Sequence, residues 1–188
     1  MKIFSAEFPE IYLQTINEAD ANEEYVNWLN DPIVNQFLET RLYQQSLSTI
    51  KAFIQETIAN PAEHLFTIRL KQSHQHIGNI KVGSINSTHG VGEISLFIGN
   101  KAYWGKGIAT KAIKLISSYS INHLALRKLS AGAYKPNKGS TFAFLKAGYQ
   151  EDCIMTEHYL LNNQPCDLVK VCFFDSQIKQ LPQITMLT

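Results

Sequence analysis

The chain has 188 residues, a formal net charge of +1 and 45% hydrophobic residues, a combination that suits one domain with a substantial core. The balanced charge excludes the overall basic excess that nucleic-acid binders carry, and no apolar run approaches the roughly 20 residues of a membrane-spanning helix. The N-terminus lacks the apolar stretch of a signal peptide, so we expect a cytoplasmic protein with no nucleic-acid or membrane partner.

The first third of the chain is predicted to contain one strand and several helices. A strand at 11–16 precedes a helix that starts near 17–20 and ends at Pro32, because the residue before a proline is disfavoured in the helical conformation. A longer amphipathic helix then begins with Ser46 or Ser48 as its N-terminal cap.

The rest of the chain alternates between strand and helix patterns. Strands are expected at 64–70, 76–85, 91–99, 128–134, 149–161 and 167–174. The first three are joined by short polar turns and are therefore predicted to be antiparallel. Helices are expected at 106–124 and 140–147, and the stretch from Gln177 onward is expected to be loose. This order of elements predicts one α+β domain with a mixed sheet.

The most informative segment is the glycine-containing stretch between the predicted strand 91–99 and the long helix. The first turn of a helix has unpaired backbone N–H groups and the positive end of the helix dipole, and Gly105 and Gly107 would leave those groups open to a phosphate. The glycine spacing matches neither a P-loop nor a dinucleotide-binding fingerprint. We interpret the segment as an anion cradle; glycines needed only for a tight turn are the alternative.

Two segments resemble signature motifs of the GCN5-related N-acetyltransferase (GNAT) superfamily. The run Trp104–Ala109 is similar to its acyl-CoA loop, Arg/Gln-x-x-Gly-x-Gly/Ala, with Trp104 in the place of the first residue. Asn137-Lys138-Gly139-Ser140, followed by Lys146-Ala147-Gly148-Tyr149, is similar to the family's N-x-x-S … E/K-x-G-F/Y signature. The segment 25–32 also resembles the N-terminal helix of the branch typified by ribosomal-protein-alanine N-acetyltransferases.

The resemblance extends over about residues 10–175. It implies that 1–188 is a single N-acetyltransferase domain, with 176–188 as a tail. It also implies a mixed, mostly antiparallel central sheet flanked by helices, in which the strand before the acyl-CoA loop splays away from its neighbour.

The same resemblance implies acetyl-CoA as the cosubstrate. The residues whose backbone N–H groups would hold its pyrophosphate are Gly105, Lys106, Gly107, Ile108, Ala109 and Thr110. The strand that contains Phe97 and Ile98 would pair through its backbone with the pantetheine arm. Asn137 would lie near the pantetheine or its thioester end, and Ser140 near the sulfur.

Forming an amide from a thioester requires a neutral amine, and a primary amine is mostly protonated near pH 7, so a general base is expected. Glu93 is the candidate, acting directly or through a water; a solvated or ion-paired Glu93 is the alternative. Many family members have a tyrosine acid where this chain has Phe144, which has no proton to give. Ser140 is therefore the candidate hydrogen-bond donor to the leaving sulfur, although it could instead cap the following helix.

These residues predict an acetyl-CoA-dependent N-acetyltransferase in which a primary amine attacks the thioester directly, within a ternary complex. The acceptor is a small-molecule amine or a protein N-terminus. One alternative is an amino sugar or another small amine rather than a protein N-terminus; a further alternative is a non-catalytic acyl-CoA-binding domain. The cysteines and histidines lack metal-ligand spacing, so no metal is expected. The oligomeric state is left open, with a homodimer as one outcome.

Overall fold

The structure is a computed structural model that describes residues 1–187. The strands of the described chain are β1 Lys2–Phe4, β2 Ile11–Thr15, β3 His64–Leu70, β4 His76–Asn86, β5 Val91–Ile98, β6 Lys128–Tyr134, β7 Gln150–Leu161, β8 Gln164–Phe174 and β9 Thr185–Leu187. The helices are α1 Glu23–Asn30, α2 Pro32–Asn35, α3 Leu47–Ala59, α4 Ile108–Leu124 and α5 Lys138–Lys146. Within residues 1–187, no helix is both long enough and apolar enough to cross a membrane.

All the described strands form one sheet, in the order β7-β8-β6-β5-β4-β3-β2-β1-β9. Every neighbouring pair is antiparallel except β5 and β6, which run parallel. These two strands are paired only where Val91–Glu93 lies beside Lys128–Ser130, and beyond that point they diverge. The mixed, mostly antiparallel sheet with a splayed strand is therefore confirmed.

The sheet carries a hydrophobic core on each face, because successive residues of a strand point to opposite sides. On one side, Phe66 packs with Ile113 and Ile116 of α4. On the other side, the adjacent Leu65 packs in a separate cluster with residues of α1 and α3, among them Trp28. The two helical layers thus cover opposite faces, and the place where β5 leaves β6 lies between them.

The long helix α4 begins two residues later than the sequence predicted. Gly107 has a φ of 74°, which is left-handed, so the regular helix starts at Ile108. Helix α5 begins at Lys138 rather than Ser140, because the Asn137 side chain caps it by accepting a hydrogen bond from the Ser140 backbone N–H. The predicted cap Ser46 is confirmed at the start of α3.

The prediction of a loose C-terminal tail is wrong for the described residues. Strand β9 pairs with β1 at the edge of the sheet, so the two ends of the described chain lie side by side. The Ser118 hydroxyl on α4 donates to the Pro182 carbonyl over 2.9 Å, and Leu181 and Ile184 pack against the core. The tail is ordered by long-range contacts that its own sequence pattern does not show. Thr188 lies outside the described residues.

Candidate active site

A cavity of about 500 Å³ opens between the glycine loop, α2 and α5, beside the splayed part of β5. We call it the loop cavity. Of the sequence-predicted site residues, those that line it are Phe97, Ile98, Gly105, Gly107, Ile108, Ala109, Thr110, Asn137 and Ser140. The fold therefore brings together two motifs that are about 30 residues apart in the chain.

The glycine loop requires glycine because of its backbone conformation, not because a side chain would lack space. Gly105 and Gly107 have φ angles of 72° and 74°, a region that side chains other than glycine rarely adopt, while a Cβ on either would meet nothing within 4 Å. At the start of α4, the backbone N–H groups of Ile108, Ala109 and Thr110 donate to no backbone carbonyl in the described chain. The helix N-terminus therefore presents a row of free donors together with a positive dipole end, which suits an anion.

Lys106 stands at the rim of this loop. Its ammonium lies 5.2 Å from the centre of the Tyr103 ring, a cation–π contact on an exposed part of the surface. Inside the loop cavity, the Thr110 hydroxyl donates to the Ala143 carbonyl over 3.3 Å and so links α4 to α5. Lys106 is thus free to add charge near a bound anion, whereas the Thr110 side chain has a structural contact.

The splayed edge of β5 exposes the backbone of Leu96 and Ile98 rather than that of Phe97. The Gly99 N–H donates to the Ile77 carbonyl, which fixes the alternation of hydrogen bonds between β4 and β5. The backbone polar groups of Phe97 therefore point toward β4, and those of Leu96 and Ile98 point toward the gap. The backbone groups open to a ligand at this edge are therefore those of Leu96 and Ile98, while the side chain of Phe97 lines both cavities.

The side chain of Trp104 is hydrogen-bonded to one of these open backbone groups. Its indole Nε1–H donates to the Ile98 carbonyl over 2.8 Å. This residue stands where the resembling family has Arg or Gln, and its side chain is partly exposed at the mouth of the loop cavity. The contact closes the glycine loop back onto the end of β5.

Asn137 and Ser140 lie together at the start of α5. The carboxamide oxygen of Asn137 accepts the Ser140 backbone N–H over 3.2 Å, which leaves its amide nitrogen for another partner. The Ser140 hydroxyl makes no hydrogen bond within the described residues, and its side chain is half-buried. The cap role that was the alternative for Ser140 thus belongs to Asn137.

A second cavity, of about 510 Å³, lies on the other side of β5 beneath α1 and α3. We call it the α1–α3 cavity. It shares Leu38, Leu96 and Phe97 with the loop cavity, so the two cavities meet across the end of β5. Most of its lining is apolar, with Tyr25 and Asn79 among the polar exceptions.

Glu39 also lines the α1–α3 cavity, next to the shared Leu38. The Tyr134 hydroxyl donates to its Oε1, and the Arg41 guanidinium contacts the same oxygen over 3.3 Å. Arg41 further donates to the Leu160 carbonyl, over 3.1 Å. Burial and, after it, the hydrogen bond to Glu39 raise the pKa of Tyr134, so the phenol stays protonated and keeps donating. This network holds the Glu39 side chain, which is 64% exposed, at the cavity wall.

Glu93 lies apart from the other predicted site residues. It belongs to the part of β5 that is paired on both sides, and its carboxylate accepts from the Lys170 ammonium over 2.7 Å. It is not among the residues that line either cavity. The ion-paired alternative for Glu93 describes its position, and its role as general base stays a prediction.

The sequence matches the acetyltransferase (GNAT) domain family over residues 10–150, about three quarters of the chain. The chain belongs to the GNAT acetyltransferase family. Among curated relatives, this GNAT domain is 29% identical over 100 residues to spermidine N(1)-acetyltransferase of Escherichia coli K12, a match that covers 53% of each protein. The chain thus spans about half the length of that relative. It is 24% identical to an uncharacterized N-acetyltransferase of Bacillus subtilis, over 86% of this chain and 91% of that protein.

The fold of this GNAT domain is shared with the crystal structure of spermidine N-acetyltransferase from Vibrio cholerae in complex with CoA and spermine. The TM-score is 0.82 at 20% identity, over 90% of this chain and 98% of that one. At such an identity the likeness shows the fold alone, and it confirms the predicted GNAT architecture. The relatives whose names state a substrate are spermidine acetyltransferases, so the branch inferred from the segment 25–32 stays a prediction.

Sequence reasoning missed the residues of the α1–α3 cavity. Glu39 begins a one-turn 3-10 helix between α2 and α3, and Asn79 lies in an ordinary strand pattern. The one sequence feature that could have pointed to this cavity is a polar residue within the strand pattern of β4. The structure shows that this residue, Asn79, is almost fully buried. Tyr134, which holds Glu39, is a buried residue at the end of a strand.

Proposed function

We propose that this GNAT domain transfers the acetyl group of acetyl-CoA to the primary amine of a small molecule that binds in the α1–α3 cavity. The observation that carries the proposal is that the two cavities share Leu38, Leu96 and Phe97 at the end of β5. Ligands bound on the two sides would meet there, as direct transfer within a ternary complex requires.

The loop cavity suits the donor, because the diphosphate and the pantetheine arm of acetyl-CoA each find matching groups there. The free N–H groups of Ile108, Ala109 and Thr110 would hold the diphosphate, with Lys106 adding charge at the rim. The open backbone of Leu96 would pair with the pantetheine amides in the manner of an added strand. Acetyl-CoA supplies the activated thioester, and the amide nitrogen of Asn137 is free to orient its pantetheine end.

The α1–α3 cavity suits an acceptor with one cationic centre and an apolar body. Among its described lining residues, Glu39 is the one carboxylate, and Lys81 adds a positive charge that Glu63 pairs over 2.9 Å. Desolvating several positive charges in such a site would require several carboxylates. A polyamine is therefore disfavoured, although the named relatives are spermidine acetyltransferases.

For the proton that leaves the amine, we propose Glu39 as the acceptor, directly or through a water. A carboxylate at the cavity wall attracts the protonated amine and can then take up its proton. Tyr134 and Arg41 bind Oε1 and so leave Oε2 for the substrate. Ser140 remains the proposed hydrogen-bond donor to the leaving sulfur, because its hydroxyl faces the loop cavity without another partner in the described chain.

The test is a panel of amines scored by the release of free CoA. The panel contains apolar monoamines, an amino acid amide, an amino sugar, an N-terminal peptide and spermidine. We expect turnover with the apolar monoamines and the amino acid amide, and at least tenfold lower kcat/KM with spermidine. Turnover confined to spermidine would show that the acceptor is a polyamine rather than a monoamine. Binding of acetyl-CoA without turnover of any amine would establish a non-catalytic domain.

A further inference from the structure

We propose that Asn79, held in position by His76, is a specificity-determining residue that donates a hydrogen bond to a carbonyl-type acceptor group near the amine of the substrate. The inference rests on the proposed acetyltransferase function and names a chemical feature of its acceptor. The preferred substrate is then an amine with an apolar body and a neighbouring carbonyl oxygen, as in an amino acid amide.

The orientation of the Asn79 side chain is fixed by His76. The imidazole Nε2 lies 2.8 Å from the Asn79 carboxamide oxygen. Since that oxygen only accepts, Nε2 must carry the hydrogen and donate it. Burial lowers the pKa of His76, which keeps the ring neutral near pH 7 and preserves this tautomer. Both side chains are more than nine-tenths buried, so the pair has little freedom to rearrange.

Aromatic side chains hold the imidazole ring of His76 in place. The ring centroid of Trp28 lies 5.0 Å from that of His76, and the ring centroid of Tyr25 lies 6.0 Å away, both with nearly perpendicular planes. Trp28 itself packs on the backbone of Gly99. The charged groups nearest to the imidazole are Arg69 and Asp20, which form an ion pair with each other. The Asn79 side chain is therefore held in place by rigid, uncharged side chains.

With its oxygen engaged, Asn79 has an amide nitrogen that makes no hydrogen bond within residues 1–187. Asn79 lines the α1–α3 cavity and lies directly opposite Phe97, the residue that both cavities share. The unpartnered donor is thus next to the place where the amine must meet the thioester. A buried donor without a partner costs free energy, and a ligand that supplies an oxygen there recovers it.

Besides Gln45 and Ser95, two further uncharged polar side chains of this cavity bear on the proposal. The Thr40 hydroxyl is buried and has no hydrogen-bond partner in the described chain. Tyr25 lines the cavity as well, and burial raises the pKa of its phenol to about 12, so the hydroxyl remains neutral. All three groups are uncharged. A neutral oxygen-bearing ligand matches them better than a second cation.

The test compares two amines that differ by one carbonyl group, leucinamide and isoamylamine, in the wild-type chain and in Asn79→Leu. The two amines differ in pKa, but this difference is the same for every variant and cancels when variants are compared. In Asn79→Leu, we expect kcat/KM to fall roughly tenfold more for leucinamide than for isoamylamine. A tenfold difference corresponds to the loss of one hydrogen bond to a buried donor. The effect should appear in KM more than in kcat.

Two more variants separate recognition from packing. His76→Gln removes the support, and we expect it to reduce the same preference, with acetyl-CoA affinity retained. Thr67→Val is the matched control, because Thr67 lies opposite Asn79 on β3 but bonds the Gln14 carbonyl. Its preference ratio should equal that of the wild type even if its stability falls.

Equal losses for both amines in Asn79→Leu would overturn the inference, since they would assign Asn79 a packing role only. A wild-type chain that turns over isoamylamine and leucinamide without preference would overturn it as well. If the wild-type chain binds acetyl-CoA but acetylates neither amine, the proposed function itself fails.

Discussion

The indole of Trp104 donates its Nε1–H to the carbonyl of Ile98, 2.8 Å away, across the mouth of the loop cavity. That carbonyl lies on the edge of β5 where the amides of a pantetheine arm would bind, so ligand and indole compete for one acceptor. We expect acetyl-CoA to displace the indole and to change the intrinsic tryptophan fluorescence with a saturable dependence on concentration.

The variant Trp104→Phe separates the two tryptophans of the chain. Trp28 is buried against Gly99 and should contribute a constant signal. In the variant, most of the fluorescence change should disappear while calorimetry still detects acetyl-CoA binding. A fluorescence change of full size in Trp104→Phe would assign the signal to Trp28 and would contradict the displacement of Trp104.

The left-handed conformation of Gly107 gives a prediction for the anion cradle. An alanine at a φ of 74° costs about 1–2 kcal/mol, which would shift the free N–H groups at the start of α4. We expect Gly107→Ala to weaken acetyl-CoA binding at least tenfold in calorimetric titration. Gly90→Ala is the matched control, because Gly90 has a φ of 60° and lies outside both cavities. It should lose similar stability and keep its affinity; equal losses of affinity would refute the cradle.

The contact between Gly99 and Trp28 predicts a steric effect on stability. A Cβ at Gly99 would lie 2.1 Å from a ring carbon of Trp28, so Gly99→Ala must push the indole out of its core position. Overpacking of this kind costs about 1–3 kcal/mol, and chemical denaturation should show that loss. Gly139→Ala, where a Cβ meets nothing within 4 Å, should change stability little. Unchanged stability in Gly99→Ala would mean that Trp28 packs elsewhere.

The positions of Glu39 and Glu93 predict different kinetic effects. Glu39→Gln removes the charge from the α1–α3 cavity, and we expect kcat/KM for amines to fall at least tenfold, with a partial recovery at higher pH as the amine deprotonates by itself. Glu93→Gln breaks the ion pair with Lys170 away from both cavities, and we expect less than a threefold change. The opposite pattern would support Glu93 rather than Glu39 as the general base.

Burial of His76 predicts a loss of stability in acid. Its pKa is lowered in the folded state, so the unfolded chain binds more protons below the ordinary value near 6.5. The stability contributed by the neutral ring is complete above that pH and decreases as pH falls below it. Denaturant midpoints between pH 7.5 and 5 should therefore drop more in the wild type than in His76→Gln. His64, whose pKa burial also lowers, is less buried, and His64→Gln should flatten the profile less. An identical slope in all three proteins would contradict this assignment.

Local patterns were sufficient to predict the elements that surround the loop cavity. The apolar spacing of α4, the hairpin turns of the middle strands and the glycines at 105 and 107 are all short-range features. The exact start of α4 was missed, because only the three-dimensional structure shows that Gly107 is left-handed.

Long-range contacts account for what the sequence could not show. Strand β9 exists because it pairs with β1 at the other end of the chain, and no local pattern records that pairing. Glu39 is held by Tyr134, 95 residues away, and Asn79 becomes informative only when its buried, unpartnered amide is seen beside a cavity. The proposed acceptor contacts thus depend on long-range packing, whereas the proposed diphosphate cradle lies within one short motif.

The most direct test compares acetyl-CoA with acetyl-pantetheine, which lacks the diphosphate together with the 3′-phosphoadenosine, in calorimetric titrations of the wild-type chain. If the free N–H groups at the start of α4 hold the diphosphate, acetyl-CoA will bind with one-to-one stoichiometry and acetyl-pantetheine at least a hundredfold more weakly. Equal affinities for the two thioesters, or no heat with acetyl-CoA, would contradict it.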